Sequence, residues 1–132
     1  MTLTIDPGIF LKSAVTSETQ AFNEATIAEL MEAGDMWTVP ASKIRKDRKE
    51  GKGIFPLDPP EPSAVDISIE TPGGVLPLRH FKPRKGEARG TYFHIHGGGW
   101  VLGSADGQDG RLQQIANNCQ LHCLSVDYRL AP

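Results

Sequence analysis

The stretch "YFHIHGGGW", Tyr92 to Trp100, decides how this chain is read. An apolar and aromatic run ends in a histidine, and three consecutive glycines follow, Gly97, Gly98 and Gly99. Glycine loses more conformational freedom on folding than any other residue. Three in a row need a compensating reason: a tight turn, a close backbone approach, or a ligand. Beyond Trp100 a loop rich in Gly and Asp leads to Leu112, Ile115, Ala116 and Cys119, spaced i, i+3, i+4, i+7. That spacing predicts an amphipathic helix. Leu121 to Val126 is an apolar, β-prone run. Strand, glycine loop, helix, strand is the βαβ pattern of a parallel sheet, so the fold class is α/β.

Working back toward the N-terminus, Val65, Ile67 and Ile69 alternate with Asp66, Ser68 and Glu70, which predicts a half-buried strand. Pro72-Gly73-Gly74 is a turn signal, and Leu76, Leu78 and His80 begin a return strand, so the two form a hairpin. Prolines 56, 59, 60 and 62 in "GIFPLDPPEPS" forbid regular helix or central strand. Upstream, Ser17 to Gln20 has the S-x-x-Q form of a capping box, and Gly34 suits a C-cap. A helix is expected from 17 to 33. A second, polar helix is expected from Pro40 to about Glu50. The chain therefore divides into a helical segment, 1–55, a Pro-rich linker, 56–64, and a β-rich core, 65–132.

Composition bounds the function. The 132 residues carry 39% hydrophobic and 23% charged side chains, a globular composition, and a net charge of −2. That balance gives no overall attraction to nucleic acid or an anionic membrane. Lys43 to Lys52 holds six Lys or Arg and two acids, without interleaved aromatics for base stacking, so it reads as a solvated helix face. The N-terminus has no basic n-region, and its longest apolar run is Ile9-Phe10-Leu11, so neither a signal peptide nor a membrane span is expected. Two cysteines are too few for a disulfide scaffold, and a cytoplasmic protein with reduced thiols is expected.

Several chemistries use glycine-rich loops. The G-x-G-x-x-G dinucleotide fingerprint fails because Leu102 stands in the third glycine's place and Gly103 is one residue late. A phosphate loop needs a terminal Gly-Lys-Ser/Thr, which the chain lacks. A metal site would draw on His94, His96, His122, Cys119 and Cys123, but no pair among them has a recognised zinc spacing. Cys119 and Cys123 read as inert thiols on the helix end and the following strand. The remaining chemistry is an oxyanion hole. Acyl transfer builds negative charge on a carbonyl oxygen, and backbone N–H groups aimed at that oxygen stabilise it. A bare glycine backbone permits the approach, and H-G-G-G after a strand is the form it takes in lipases and esterases.

"HIHGGGWVLGS", a helix, and then "SVDYRLAP" resemble the bacterial hormone-sensitive-lipase-like esterases of the α/β-hydrolase fold. "GIFPLDPPEP" is similar to that family's linker, and the N-terminal helices resemble part of its cap. The resemblance implies an N-terminal portion of an α/β-hydrolase mixed sheet, with cap helices in 1–55 and the first half of the core in 65–132. It implies that the amides of Gly98 and Gly99 donate to the oxyanion, that Gly97 permits the turn, and that His96 braces the loop. Trp100 would line the substrate pocket. Met36 and Trp37, in the cap segment, are candidates to face substrate, with helix-core packing as the alternative. Asp127, Tyr128 and Arg129 match the second motif and imply a structural anchor after the last strand.

The family's nucleophile is a serine in G-x-S-x-G, and this sequence has no such motif. The triad runs Ser, Asp or Glu, then His along the chain, so none of His80, His94, His96 and His122 matches its base. The expected partner is thus a C-terminal remainder, as a continuation or a second polypeptide, that carries the nucleophile, acid and base. The expected function is the N-terminal part of a serine carboxylesterase acting on short acyl esters, inactive by itself and needing no metal or organic cofactor. No nucleic-acid or membrane partner is expected, and homo-oligomerisation stays open. A non-catalytic truncated hydrolase serving as a binding module is the alternative, followed by a metal-binding domain. The Leu121–Val126 strand is further expected to present an open apolar edge.

Overall fold

The computed structural model describes residues 5–52, 57 and 59–132. Pro56 and Asp58 of the expected linker lie outside the described residues. The chain divides into two units, Met1–Val39 and Pro40–Pro132. The helix after the division therefore groups with the sheet, although it precedes the expected linker.

In the first unit, α1 spans Ser17–Ala33. Its cap is Thr16 rather than the expected Ser17. The Thr16 hydroxyl accepts from the Thr19 amide at 3.2 Å, satisfying one of the unpaired first-turn donors. Gly34 closes the helix at φ +73°, as its sequence position implies. A short 3-10 turn, Met36–Thr38, follows, with the Asp35 carboxylate accepting from the Trp37 amide at 2.9 Å.

In the second unit, α2 spans Ala41–Lys49, with Pro40 one position earlier than the first turn, at the N-cap. β1 (Val65–Thr71) and β2 (Gly74–Phe81) form the expected antiparallel hairpin, pairing Ile67 with Leu78 and Ile69 with Leu76. β3 is Thr91–Ile95, α3 is Asp109–Cys119 and β4 is His122–Val126. β3 and β4 are parallel, β2 and β4 antiparallel, and the sheet order is β1-β2-β4-β3.

That order corrects the expectation for β4. It gains a neighbour on each side, because β2 returns to pair with it. The open edges belong to β1 and β3 among the described residues. Phe93 and Ile95 of β3 are 53% and 65% exposed. β1 was expected to be half-buried, yet Val65 through Glu70 are all exposed. An edge strand has one ladder partner, and among the described residues α3 packs against β2 and β4 instead.

The core lies between α3 and those two central strands. Phe81, Leu112, Ala116 and Cys123 are each at most 1% exposed and form one cluster. The helix buries Asp109, Leu112, Gln113 and Ala116, a stripe turned from the expected one, with Ile115 partly buried and Cys119 at the rim. Asp109 is buried because Arg79 on β2 meets it with two hydrogen bonds, Nε–Oδ1 at 2.9 Å and Nη2–Oδ2 at 2.6 Å. The Glu61 amide donates to the same carboxylate at 2.8 Å. Gln113 donates to the Lys82 carbonyl at 2.8 Å. Two polar side chains thus clamp α3 to β2 and to the segment that enters β1. Bonding to Asp109, then to Asp66, holds the Arg79 guanidinium's pKa above its ordinary value.

Candidate active site

β3 delivers the glycine run to the C-terminal end of the sheet. In open α/β sheets, ligands gather at that end. Gly98, Gly99 and Trp100 all have positive φ, at +125°, +61° and +59°. A side chain at Gly98 would place a Cβ 2.1 Å from the Leu102 carbonyl oxygen, so the turn admits only glycine there. The Gly98 carbonyl accepts from the amides of Val101 at 3.1 Å and Leu102 at 2.9 Å. Among the described residues, the amides of Gly98 and Gly99 donate to no acceptor. Two adjacent backbone donors are therefore bare.

His96 is 6% exposed and tied into the loop on three sides. Its Nδ1–H donates to the Gly97 carbonyl at 2.9 Å. The Tyr128 hydroxyl donates to the His96 carbonyl at 2.7 Å, and the two rings stack with centroids 4.2 Å apart. Asp127 accepts from the Ala105 amide at 3.2 Å. These contacts join the H-G-G-G loop to the segment after β4.

Two contributors escaped the sequence reading, and a third, Tyr128, was expected only as a structural anchor. Gly103 passes so close to the His96 ring that a Cβ there would sit 2.5 Å from Nδ1. Its signal was its position, one residue late for a dinucleotide fingerprint. Arg45 of α2 donates through Nε to the Val101 carbonyl at 2.8 Å and through Nη2 to the Ala131 carbonyl. Tyr128 turns out to touch His96 itself. A cavity of about 640 Å³ opens beside the loop, lined by His96, Gly97, Gly98 and Gly103 on one side and by α2 on the other.

The remaining candidates are placed differently. Trp100 is 75% exposed and is not among the residues lining that cavity. Its carbonyl accepts from the Ala131 amide at 2.8 Å. Met36 and Trp37 sit in the first unit, 49% and 88% exposed. Met36 and Trp37 are thus core residues of neither unit.

The histidines and cysteines weighed for metal do not converge among the described residues. His122 Nδ1 lies 3.0 Å from His80 Nε2, on the opposite sheet face from Cys123. His94 lies beside Ser125 in the β3–β4 ladder. Burial, then the nearby His96 and Arg111, pushes the His94 pKa down. Burial, then His122 and Lys82, does the same for His80. Burial raises the Cys123 thiol, with a smaller push from Cys119, so this thiol is held unreactive.

Comparison with known proteins places this geometry in context. Residues 92–132, from the glycine stretch to the chain's last residue, match the family model described as alpha/beta hydrolase fold. The chain is 42% identical over 68 residues to the carboxylic ester hydrolase LipN of Mycobacterium tuberculosis, covering 52% of this chain and 18% of that protein. It is 40% identical over 67 residues to an arylesterase of Saccharolobus solfataricus, covering 51% and 22%. To an ethyl acetate hydrolase of Pseudomonas putida it is 30% identical over 120 residues, covering 82% and 38%. Among solved structures, an arylesterase superposes with TM-score 0.65 at 31% identity over 84% of this chain and 37% of that one. A hyperthermophilic esterase from the archaeon Pyrobaculum calidifontis does so with TM-score 0.58 at 32% identity, over 72% and 32%. The chain thus spans well under half the length of the relatives it matches. Its mixed sheet and helices correspond to part of their core, and the chain is similar to esterases of the α/β-hydrolase fold.

Proposed function

We propose that this chain contributes the oxyanion-binding part of a serine carboxylesterase of hormone-sensitive-lipase-like kind, acting on short acyl esters. The observation that supports it most is the pair of bare amides at Gly98 and Gly99, in a turn whose Gly97 and Gly98 carbonyls are both bonded. Both glycines are exposed, so their N–H groups are accessible to an incoming acceptor, and a developing oxyanion is an acceptor such donors stabilise. In this reading a serine in G-x-S-x-G attacks the ester carbonyl while a histidine takes its proton. The negative charge moves onto the carbonyl oxygen, where Gly98, Gly99 and the amide after the serine donate to it. His96 and Gly97 shape the loop. Trp100, Met36 and Trp37 contribute substrate contacts, and residues 1–55 belong to a cap joined to the core by the 56–64 linker. The nucleophile, acid and base come from a further segment, as continuation or second polypeptide. The chemistry requires no metal or organic cofactor, and the proposed location is the cytoplasm.

The test is turnover of p-nitrophenyl acetate by the protein that carries this chain, with and without a serine-directed fluorophosphonate. The expected result is activity abolished by the probe, with the label on a serine outside residues 1–132. Turnover indifferent to the probe, or lost on chelation, would overturn the reading. Residues 1–132 alone are expected to turn over no ester.

A further inference from the structure

The basic run of α2 does not simply face solvent. Arg45, Lys46, Arg48 and Lys49 line the same cavity as Gly97 and Gly98. Arg45, Arg48 and Lys49 stand at i, i+3 and i+4, so one helix face carries all three. Lys43, four residues before Asp47, pairs with that carboxylate away from this set. Asp127 is the one carboxylate among the described lining residues, and it already accepts from the Ala105 amide. Arg45 is committed to two carbonyls, and Lys46 lies 3.8 Å from Glu50. Arg48 and Lys49 have no carboxylate within ion-pair distance among the described residues. A helix C-terminus favours cations in its last turn. That preference does not account for their standing across a cavity from bare amides. A concave wall of one sign focuses potential into the cavity and concentrates ligands of the opposite sign.

We propose that the ester accepted at this site bears an anion: a carboxylate at the end away from the scissile carbonyl, held by Arg48 and Lys49. The proposal rests on the oxyanion reading of Gly98 and Gly99, and it deepens that reading by naming a substrate class. The ester carbonyl would lie toward the glycine amides and the carboxylate toward α2. The Arg48 guanidinium offers a two-pronged donor that matches a carboxylate, and Lys49 adds a point charge.

Binding tests this without catalysis, so its outcome is separable from the fluorophosphonate experiment. The full chain is titrated calorimetrically with monoethyl succinate and with its neutral counterpart, diethyl succinate, at low and high salt. The expected result is that the monoester binds about tenfold more tightly, the scale of one charge-assisted hydrogen bond, and that the margin shrinks with salt. The double variant Arg48→Gln, Lys49→Gln should lose the margin. The charge-matched control Lys82→Gln, Lys85→Gln, altered outside the cavity lining, should keep it. Equal binding of the two esters, binding of neither, or equal loss in both double variants would overturn the proposal.

Discussion

α1 runs for seventeen residues without burying one, whereas α3 buries four of its eleven. Phe22, Ile27, Leu30 and Met31 are between 49% and 79% exposed, yet the ends of α1 are well defined. Local chemistry defines them: a threonine oxygen at one end and a left-handed glycine at the other. α3 lacks a side-chain N-cap and is held instead by a buried carboxylate, an amide side chain and two apolar contacts with the sheet. One helix takes its limits from its neighbours in sequence, the other its place from partners thirty residues away. Helices of the first kind draw little stability from tertiary packing.

Mutation can break this contrast in graded steps. The largest loss is expected from Phe81→Ala, at about 3–5 kcal/mol by urea unfolding of the second unit, because Phe81 is fully buried at the centre of the cluster. Asp109→Ala should cost about 3 kcal/mol in the same measurement, since it removes the buried partner of Arg79, whose side chain is 15% exposed, and leaves only the exposed Asp66 to pair with it. Thr16→Ala should cost about 1 kcal/mol, seen as faster amide exchange in the first turn of α1, with α3 unchanged. Acidification should act on the second unit. The folded pKa of His80 and of His94 lies below the ordinary 6.5, so the unfolded chain takes up protons first. Their contribution is present above about 6.5 and is lost as pH falls through that value toward the lower folded pKa. Urea midpoints at pH 5 and pH 8 check this, and His80→Phe should shrink the difference. The smallest effect belongs to Phe22→Ala, within about 0.5 kcal/mol, because the ring is 64% exposed.

The same contrast explains what could be read in advance. The hairpin and α1 are legible because alternation, a turn signal and capping residues are local. The sheet order was not legible. Nothing in Leu78–Phe81 announces that it pairs with Cys123–Val126, more than forty residues on, and that pairing makes β4 central and β3 an edge. The stripe of α3 was misread for a related reason. Asp109 and Gln113 look like surface residues until Arg79 and the Lys82 carbonyl are brought to them. At the candidate site, the glycine-requiring turn at Gly98 and Gly99 was legible because three adjacent glycines have few uses. Tyr128 against His96, and α2 along the cavity, depend on contacts across the fold and leave no local mark.

The two bonded carbonyls in the glycine turn have one more consequence. In a trans peptide the C=O of one residue and the N–H of the next lie in one plane and point opposite ways. Each plane is thus a rigid lever. The Gly97 carbonyl is held by His96 Nδ1 at 2.9 Å, which sets the heading of the Gly98 N–H. The Gly98 carbonyl is held by the Val101 and Leu102 amides at 3.1 and 2.9 Å, which sets that of the Gly99 N–H. Neither bare donor can swing without breaking a bond at the far end of its own peptide. An acceptor brought to either donor would meet an N–H whose heading is already set, with little reorientation left to perform.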